Sequence, residues 1–377
     1  MIWLRFTDSR DPRTEIAENS HNFCLVPSMN APCDIALRSA SSLESHPWWT
    51  RLLAGMSDLN EAPKLNPAQQ ALTDELGATP DERPRFRDDL RDHLRHELEE
   101  AMEPILVEVK EPPLFVSKRD LAMIHGCEAR YVAEQDIEFA WTVAMARGSV
   151  AHKAIEISVT WRGKPTPLDL VDGALGRLEQ DDHSVGAFIR TLDEPQRAEL
   201  AGMANDFVAT FIETFPPLRR QWRPVAESRV RAELCEGGLA LAGRVDLTLG
   251  QPDGNVAGKV LFDLKTGRPS AGHREDLRFY ALLETLKSGV PPRLLVNYYL
   301  EAGDAHTEAV SEDTLWTAAK RVVDAVEKIV ALTGPGPRQA NTSPGGGCRW
   351  CPALPHCDEG RRYLDRSDDE ENLPALQ

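Results

Sequence analysis

The sequence predicts an α/β fold, a mixed central β-sheet flanked by helices, with a helical N-terminal region and a C-terminal cysteine loop. The first observation behind this is the alternating stretch from Leu239 to Gly267, broken once by the turn signal Gln251-Pro252-Asp253-Gly254-Asn255. The second is a pair of further alternating runs, AESRVRAEL before it and PRLLVNYYL after it. The third is the order of the pieces: helices, a three-strand meander, a helix, two strands, a helix.

Residues 1–60 scatter Ser, Asn, Pro and Asp without a sustained period, and are expected to form a poorly ordered extension. Cys24 and Cys33 sit there with no His nearby and read as plain thiols. Residues 61–112 read as a charged helical segment. In ERPRFRDDLRDHLRHELEEAM charge falls on most faces, so His93 and His96 read as solvated rather than as metal ligands.

The main domain is expected over residues 113–362. It opens with LFVSKRDLAMIHGCEARYVAE, where Ser117 and Asp120 mark a helix start. Leu121, Ile124 and Tyr131 share one side of that helix, and Cys127 lies within it. The next helix, ARGSVAHKAIEISVTW, aligns Gly148, His152, Ile155 and Val159. Gly148 allows close approach to a neighbour, and the apolar stripe carries His152 towards the sheet. A lone helical His is more often structural, so only this placement makes it a candidate. From Pro167 to Phe215 the pattern is helical, interrupted near Gln180-Asp181-Asp182, with Leu200, Met203, Phe207, Phe211 and Phe215 as a core stripe. After Gly267 a helix carries Asp276, Phe279, Tyr280 and Leu283 on one face. The segment around His306 to Val310 reads as the last strand, 312–333 as a helix, and 363–377 as an acidic disordered tail.

The central hairpin carries the chemistry. Val245, Leu247 and Leu249 alternate with Arg244, Asp246 and Thr248, and Phe262 and Leu264 alternate with Asp263 and Lys265. Pairing across the turn brings Asp246 beside Asp263, with Lys265 pointing the same way. Two carboxylates held close repel unless a cation neutralises both. Oxygen ligands of this kind favour Mg²⁺ or Mn²⁺. A bound metal lowers the pKa of a coordinated water, and Lys265 is placed to steady the hydroxide. The competing reading of D-x-K alone is an exposed ion pair. Glu227, at the start of the preceding strand, could approach the metal or be a simple edge-strand carboxylate.

At 377 residues and 41% hydrophobic content the chain can bury a substantial core. With 43 basic and 60 acidic residues its net charge is -17, which argues against tight non-specific coating of nucleic acid. Arg219, Arg220, Arg223, Arg229 and Arg231 cluster before the metal strands and could line a path for a phosphate backbone, or form a solvated basic face. No apolar run approaches a membrane span, and MIWLRFTDSRDPRTE lacks the apolar centre of a signal peptide. A cytoplasmic, reducing location is therefore expected. No G-x-x-x-x-G-K-(S/T) match is present, so no nucleotide-driven motor is encoded in this sequence.

At the C-terminal end, Cys348-Arg349-Trp350-Cys351-Pro352 is followed by Cys357. C-x2-C-x5-C supplies three thiolates, one short of a tetrahedral set. Zinc could take His356 or a remote Cys as the fourth ligand, and an iron–sulfur cluster would take four thiolates. Cys127 is a candidate fourth, and a ligand-free thiol cluster is the bland reading. Cys235, in a strand turn, reads as incidental.

Taken together, G-R-V-D at Gly243–Asp246, F-D-L-K-T-G at Phe262–Gly267 and R-G-x-x-x-H at Arg147–His152 resemble the RecB-like branch of the PD-(D/E)XK nucleases. The resemblance covers roughly residues 115–360 and implies a restriction-endonuclease-like sheet. It also implies a 4Fe–4S cluster on Cys127, Cys348, Cys351 and Cys357, acting as a structural staple. By the same resemblance, His152, Asp246, Asp263 and the carbonyl of Leu264 would ligate the metal, and Lys265 would position the attacking water. Tyr280 matches the Tyr of the family's Q-L-x-x-Y helix near the substrate, where Arg244 is also expected. Asp276 stands where the family carries Gln, and an acid there is expected to weaken substrate binding or alter strand preference. The implied activity is metal-dependent hydrolysis of DNA, single strands or ends, in repair or recombination; because no motor motif is present, a separately encoded helicase is a candidate partner. The alternative is a catalytically weak DNA-binding scaffold subunit.

Overall fold

The structure is a computed structural model that describes residues 64–371 apart from 136, 138, 182 and 183, and no side chains over 367–371. The expected N-terminal extension, with Cys24 and Cys33, lies outside the described residues, as do residues 372–377.

Two helices come first, α1 (Pro67–Leu76) and α2 (Leu90–Leu106). Asn66 and Gln69 close a capping box at the start of α1, with Pro67 at its first position. The expected all-round charge of this region gives way to an amphipathic α2, because Leu90, Leu94, Leu98 and Met102 recur at a helical spacing and are all buried. They join the same core as the sheet, so residues 65–112 pack as part of the main domain. His93 and His96 remain on its outer side, each near a carboxylate one turn on.

Strand β1 (Leu114–Ser117) and helix α3 (Lys118–Gly126) come after them. Ser117 and Asp120 form the expected capping box. The helix stops at Cys127, whose backbone is extended (φ -164, ψ 117), and α4 (Glu128–Glu134) restarts after it. Cys127 is thus at a break rather than inside one continuous helix. Four helices come next: α5 (Val143–Thr160), α6 (Pro167–Gln180), α7 (Ser184–Thr191) and α8 (Glu194–Thr214). The last part comprises β2 (Val225–Leu234), β3 (Leu239–Leu249), β4 (Val260–Lys265), α9 (Ala271–Ser288), β5 (Leu294–Tyr299), β6 (Asp304–Ala309), α10 (Glu312–Thr333) and α11 (Asp358–Glu371). Helix α11 takes in the first part of the stretch expected to be a disordered tail.

The sheet is mixed, as expected, with the path β1-β3-β4-β5-β6 and β2 paired to β3 beside it. Strand β2 runs antiparallel along β3 from Leu239 to Thr248. Strand β1 pairs in parallel with β3 from Leu239 to Ala242, and β4 pairs antiparallel with Leu247 to Leu249. Because β2 occupies one edge of β3 throughout, β1 and β4 must share the other edge. Between them, from Gly243 to Asp246, that edge faces no strand.

Helices α2, α3, α9 and α10 cover one side of the sheet, while α1, α5 and α8 cover Leu247, Phe262, Val296 and Tyr298 on the other. Phe215 contacts the rings of Phe211, Phe262 and Tyr298 at 4.6, 5.5 and 5.4 Å, which fixes the end of α8 against β4 and β5. Each such aromatic contributes about 2 kcal/mol through burial. Of the expected α8 stripe, Phe207, Phe211 and Phe215 face the sheet, Leu200 packs among α5–α7, and Met203 is half-buried. Among the described residues no helix is long and apolar enough to cross a membrane.

Candidate active site

The open edge of β3 is where the charged side chains gather. The register Leu247↔Phe262 sets Asp246 and Asp263 opposite each other across the hairpin. Asp246 Oδ2 accepts a hydrogen bond from the Leu264 amide at 2.7 Å, so its carboxylate occupies the gap in the ladder. Its Oδ1 lies 3.4 Å from His152 Nδ1. Helix α5 can come this close because Gly148, one turn before His152, faces Thr266, whose Oγ1 would lie 3.3 Å from any Cβ there.

Asp263 is 1% exposed and held between two cations. Lys118 Nζ donates to Oδ1 at 2.9 Å, and Lys265 forms an ion pair with Oδ2. Lys265 also donates to Asp276 Oδ2 at 3.0 Å. The acid in the position where the resembled family has Gln therefore anchors the lysine. Lys118 is first in α3, directly after β1, and lies 5.1 Å above the Tyr280 ring. Tyr280 in turn fills the space over Gly243, where a Cβ would collide with its ring.

Glu227 lies on β2 in a left-handed conformation, φ 53, that a non-glycine residue adopts at a cost. Its Oε2 pairs with Arg244 Nε at 2.6 Å. His152, Glu227 and Asp246 each offer a ligand atom, and these atoms lie within 4.8 Å of one another. A cleft of about 530 Å³ opens beside them, lined also by Trp141, Lys153 and Arg244.

The charges shift one another in a consistent way. Burial favours a neutral Glu227 and Arg244 opposes it, but burial and the nearby Asp246 carboxylate together push the Glu227 pKa up. Burial would raise Asp246, yet His152, Lys118 and the Leu264 amide pull it below the usual carboxylate value. For His152 burial acts downward and is outweighed by Asp246, so the imidazole holds its proton more tightly than usual. Lys118 is likewise held charged against burial, chiefly by Asp263.

Of the residues singled out in the sequence, His152, Asp246, Asp263 and Lys265 come together, with Leu264 contributing its amide. Tyr280, Asp276 and Arg244 border them. Glu227, expected either to approach the metal or to be an edge-strand carboxylate, lies beside His152 and Asp246, while Asp263 is paired with two lysines. Lys118 escaped that reading altogether, since nothing local to it marks a site. Within the arginine cluster, Arg231 pairs with Glu233, and Arg219 lies 5.5 Å from the Trp222 ring centre.

The cysteines form a second centre. Cys127, Cys348, Cys351 and Cys357 line one small pocket and are each half-buried. Backbone amides of Ser343, Gly345 and Gly360 donate to Cys127, Cys348 and Cys357 Sγ at 3.5, 3.3 and 3.3 Å. The loop bearing the last three cysteines is fastened to α4 by Glu128, which receives Arg338 at 2.6 and 2.9 Å and the Asn341 amide at 2.9 Å.

Residues 116–358, from within β1 to the residue after the last cysteine, match the sequence profile of the PD-(D/E)XK nuclease superfamily. The chain belongs to this superfamily. Nucleases of this superfamily use divalent metals. No curated protein matches the chain. A solved structure described as "Crystal structure of SSO0001" is similar at 16% identity and a TM-score of 0.30, covering 71% of this chain and 96% of that one. The donor set suits a divalent metal: two carboxylates and an imidazole converge, and Glu227, pushed up first by burial and then by the Asp246 charge, gains a counter-charge from a cation there.

Proposed function

We propose that this PD-(D/E)XK protein is a metal-dependent deoxyribonuclease of the RecB-like branch, hydrolysing phosphodiester bonds in single-stranded DNA or at DNA ends during repair or recombination. The observation that carries the reading is the convergence of His152, Glu227, Asp246, Asp263, Lys118 and Lys265 at the open edge of β3.

Asp246, Glu227 and His152 would hold Mg²⁺ or Mn²⁺, with Asp263 and the Leu264 carbonyl as further ligands. When bound, the metal supplies Lewis-acid polarisation of the scissile phosphate and a more acidic water. The chain's own groups do the rest. Lys265, fixed by Asp263 and Asp276, orients the attacking water through its ammonium hydrogens. Lys118 adds a fixed positive charge where negative charge grows on the phosphate. Arg244, at the rim of the cleft, meets the backbone on either side of the broken bond, and Tyr280 keeps Lys118 from swinging inward.

The four cysteines would hold a 4Fe–4S cluster, with zinc as the alternative; the reading is supported by their lining one small pocket and by backbone N–H groups donated to three of their sulfurs. Its role would be structural, joining the α3–α4 boundary to the C-terminal loop. A separately encoded helicase would supply unwound strands.

The test is cleavage of end-labelled single- and double-stranded DNA with Mg²⁺ or Mn²⁺ by anaerobically purified protein. Activity abolished by EDTA and by Lys265→Ala supports the reading, and equal activity in both proteins would place the cutting elsewhere. A second reading, a DNA-binding scaffold, draws on the Asp276–Lys265 and Asp263–lysine pairs, which tie up the groups a metal and water need. DNA binding with no cleavage in wild type, and cleavage gained in Asp276→Gln, would favour it.

A further inference from the structure

A cavity of about 360 Å³ lies between the C-terminal end of α1, the segment before β2 and the start of β4. Val260 lines it, so it opens on the face of β4 opposite Asp263. Arg83, Arg223 and Arg293 line it and no carboxylate does. Among the described residues neither Arg83 nor Arg293 forms an ion pair. Arg83 donates to the Ala78 carbonyl at 3.5 Å and Arg293 to the Leu76 carbonyl, but the Nε atoms of both are buried with no hydrogen-bond partner. Burial, and then the Arg83 charge, lower the proton affinity of Arg293. Like charges taken from water without a counter-ion are costly, and a bound anion would relieve that cost.

The chemistry of the walls selects the anion. Guanidinium groups present planar pairs of donors that match phosphate oxygens. Trp222 stands in the wall beside them with Arg219 over its ring at 5.5 Å, and an indole is a surface on which nucleobases stack. The volume is at the small end of ligand pockets, too small for a duplex and suited to one nucleotide. We propose that this cavity is a phosphate site that receives a single nucleotide unit, its phosphate against Arg83 and Arg293 and its base against Trp222. The site does not depend on the nuclease reading, because it shares none of the catalytic side chains.

The competing account is that both arginines merely cap carbonyls at the end of α1. Thermal unfolding of the full chain in EDTA, at matched ionic strength, separates the two. Inorganic phosphate in place of chloride should raise the wild-type midpoint, and thymidine 5′-monophosphate should raise it further. Arg293→Gln should weaken both responses by at least about tenfold in ligand concentration, and Arg83→Gln serves if that variant does not fold. Trp222→Ala should keep the phosphate response and lose the added nucleotide part. A 5′-phosphorylated oligonucleotide that competes with the mononucleotide would make a strand the source of the phosphate, and failure to compete would make it the free nucleotide. No phosphate response in wild type, or equal responses in wild type and the arginine variants, would overturn the site.

Discussion

Asp263 is almost fully buried, and Lys118 and Lys265 approach its two oxygens from different elements. Removing one cation does not strand it, so Lys118→Ala should cost only about 2 kcal/mol of stability. If Lys118 stabilises charge on the phosphate, the same substitution should lower kcat by about a hundredfold, the usual effect of deleting one such donor. Steady-state cleavage and urea unfolding of the same preparation check both halves. A loss of stability with unchanged kcat would make Lys118 a structural partner only. Gly243 offers a purely steric test nearby. A methyl group there meets the Tyr280 ring, which is 3% exposed and sits under Lys118. Gly243→Ala should therefore cost about 2 kcal/mol by overpacking, seen as a lower urea midpoint at constant slope.

Between elements, the junction of α4 with the C-terminal loop is an ion pair that pH can release. Arg338 above all, against burial and aided by the Asn341 amide, pulls the Glu128 carboxyl from its ordinary 4.5 to about 2. A carboxyl depressed in the folded state stabilises fully above its unfolded value, and that contribution fades as pH falls from about 4.5 towards 2. Glu128→Gln should be less stable than wild type at neutral pH by about 2 kcal/mol, and the gap should close across that window. Urea midpoints of the two proteins against pH check this, and a gap that stays constant would overturn the assignment. The same elements show what sequence can and cannot carry. The β3–β4 hairpin was legible because its alternation, its turn and both aspartates lie in one continuous stretch. Helix α5 and Gly148 were legible for the same reason. Lys118 was not, because its role depends on β1 pairing in parallel with a strand far along the chain. Glu227 was undervalued because its left-handed backbone, invisible in a strand pattern, turns it into the cleft. Helical spacing continues across Cys127 in the sequence, whereas the chain breaks there to present the sulfur beside the C-terminal loop.

Across the whole molecule, the four cysteines bring together two parts far apart in sequence, the α3–α4 break and the loop before α11. A ligand bridging them closes a very long loop, and cross-links of that kind stabilise by about 4 kcal/mol. Burial raises the Cys351 thiol, so without a metal it stays protonated and bridges nothing. The consequence reaches the other centre, because Lys118 and Cys127 are at opposite ends of α3. Loss of the bridge should loosen that helix and disturb Lys118 without touching Asp246 or His152. Anaerobically purified wild type is therefore expected to absorb in the visible range and to unfold well above its chelated form. Cys127→Ser and Cys351→Ser should each bleach the absorption and lower the midpoint by similar amounts. A colourless protein holding zinc would keep the bridge and replace the cluster. Full absorption in Cys127→Ser would remove Cys127 from the ligand set, and with it the coupling from the C-terminal loop to Lys118.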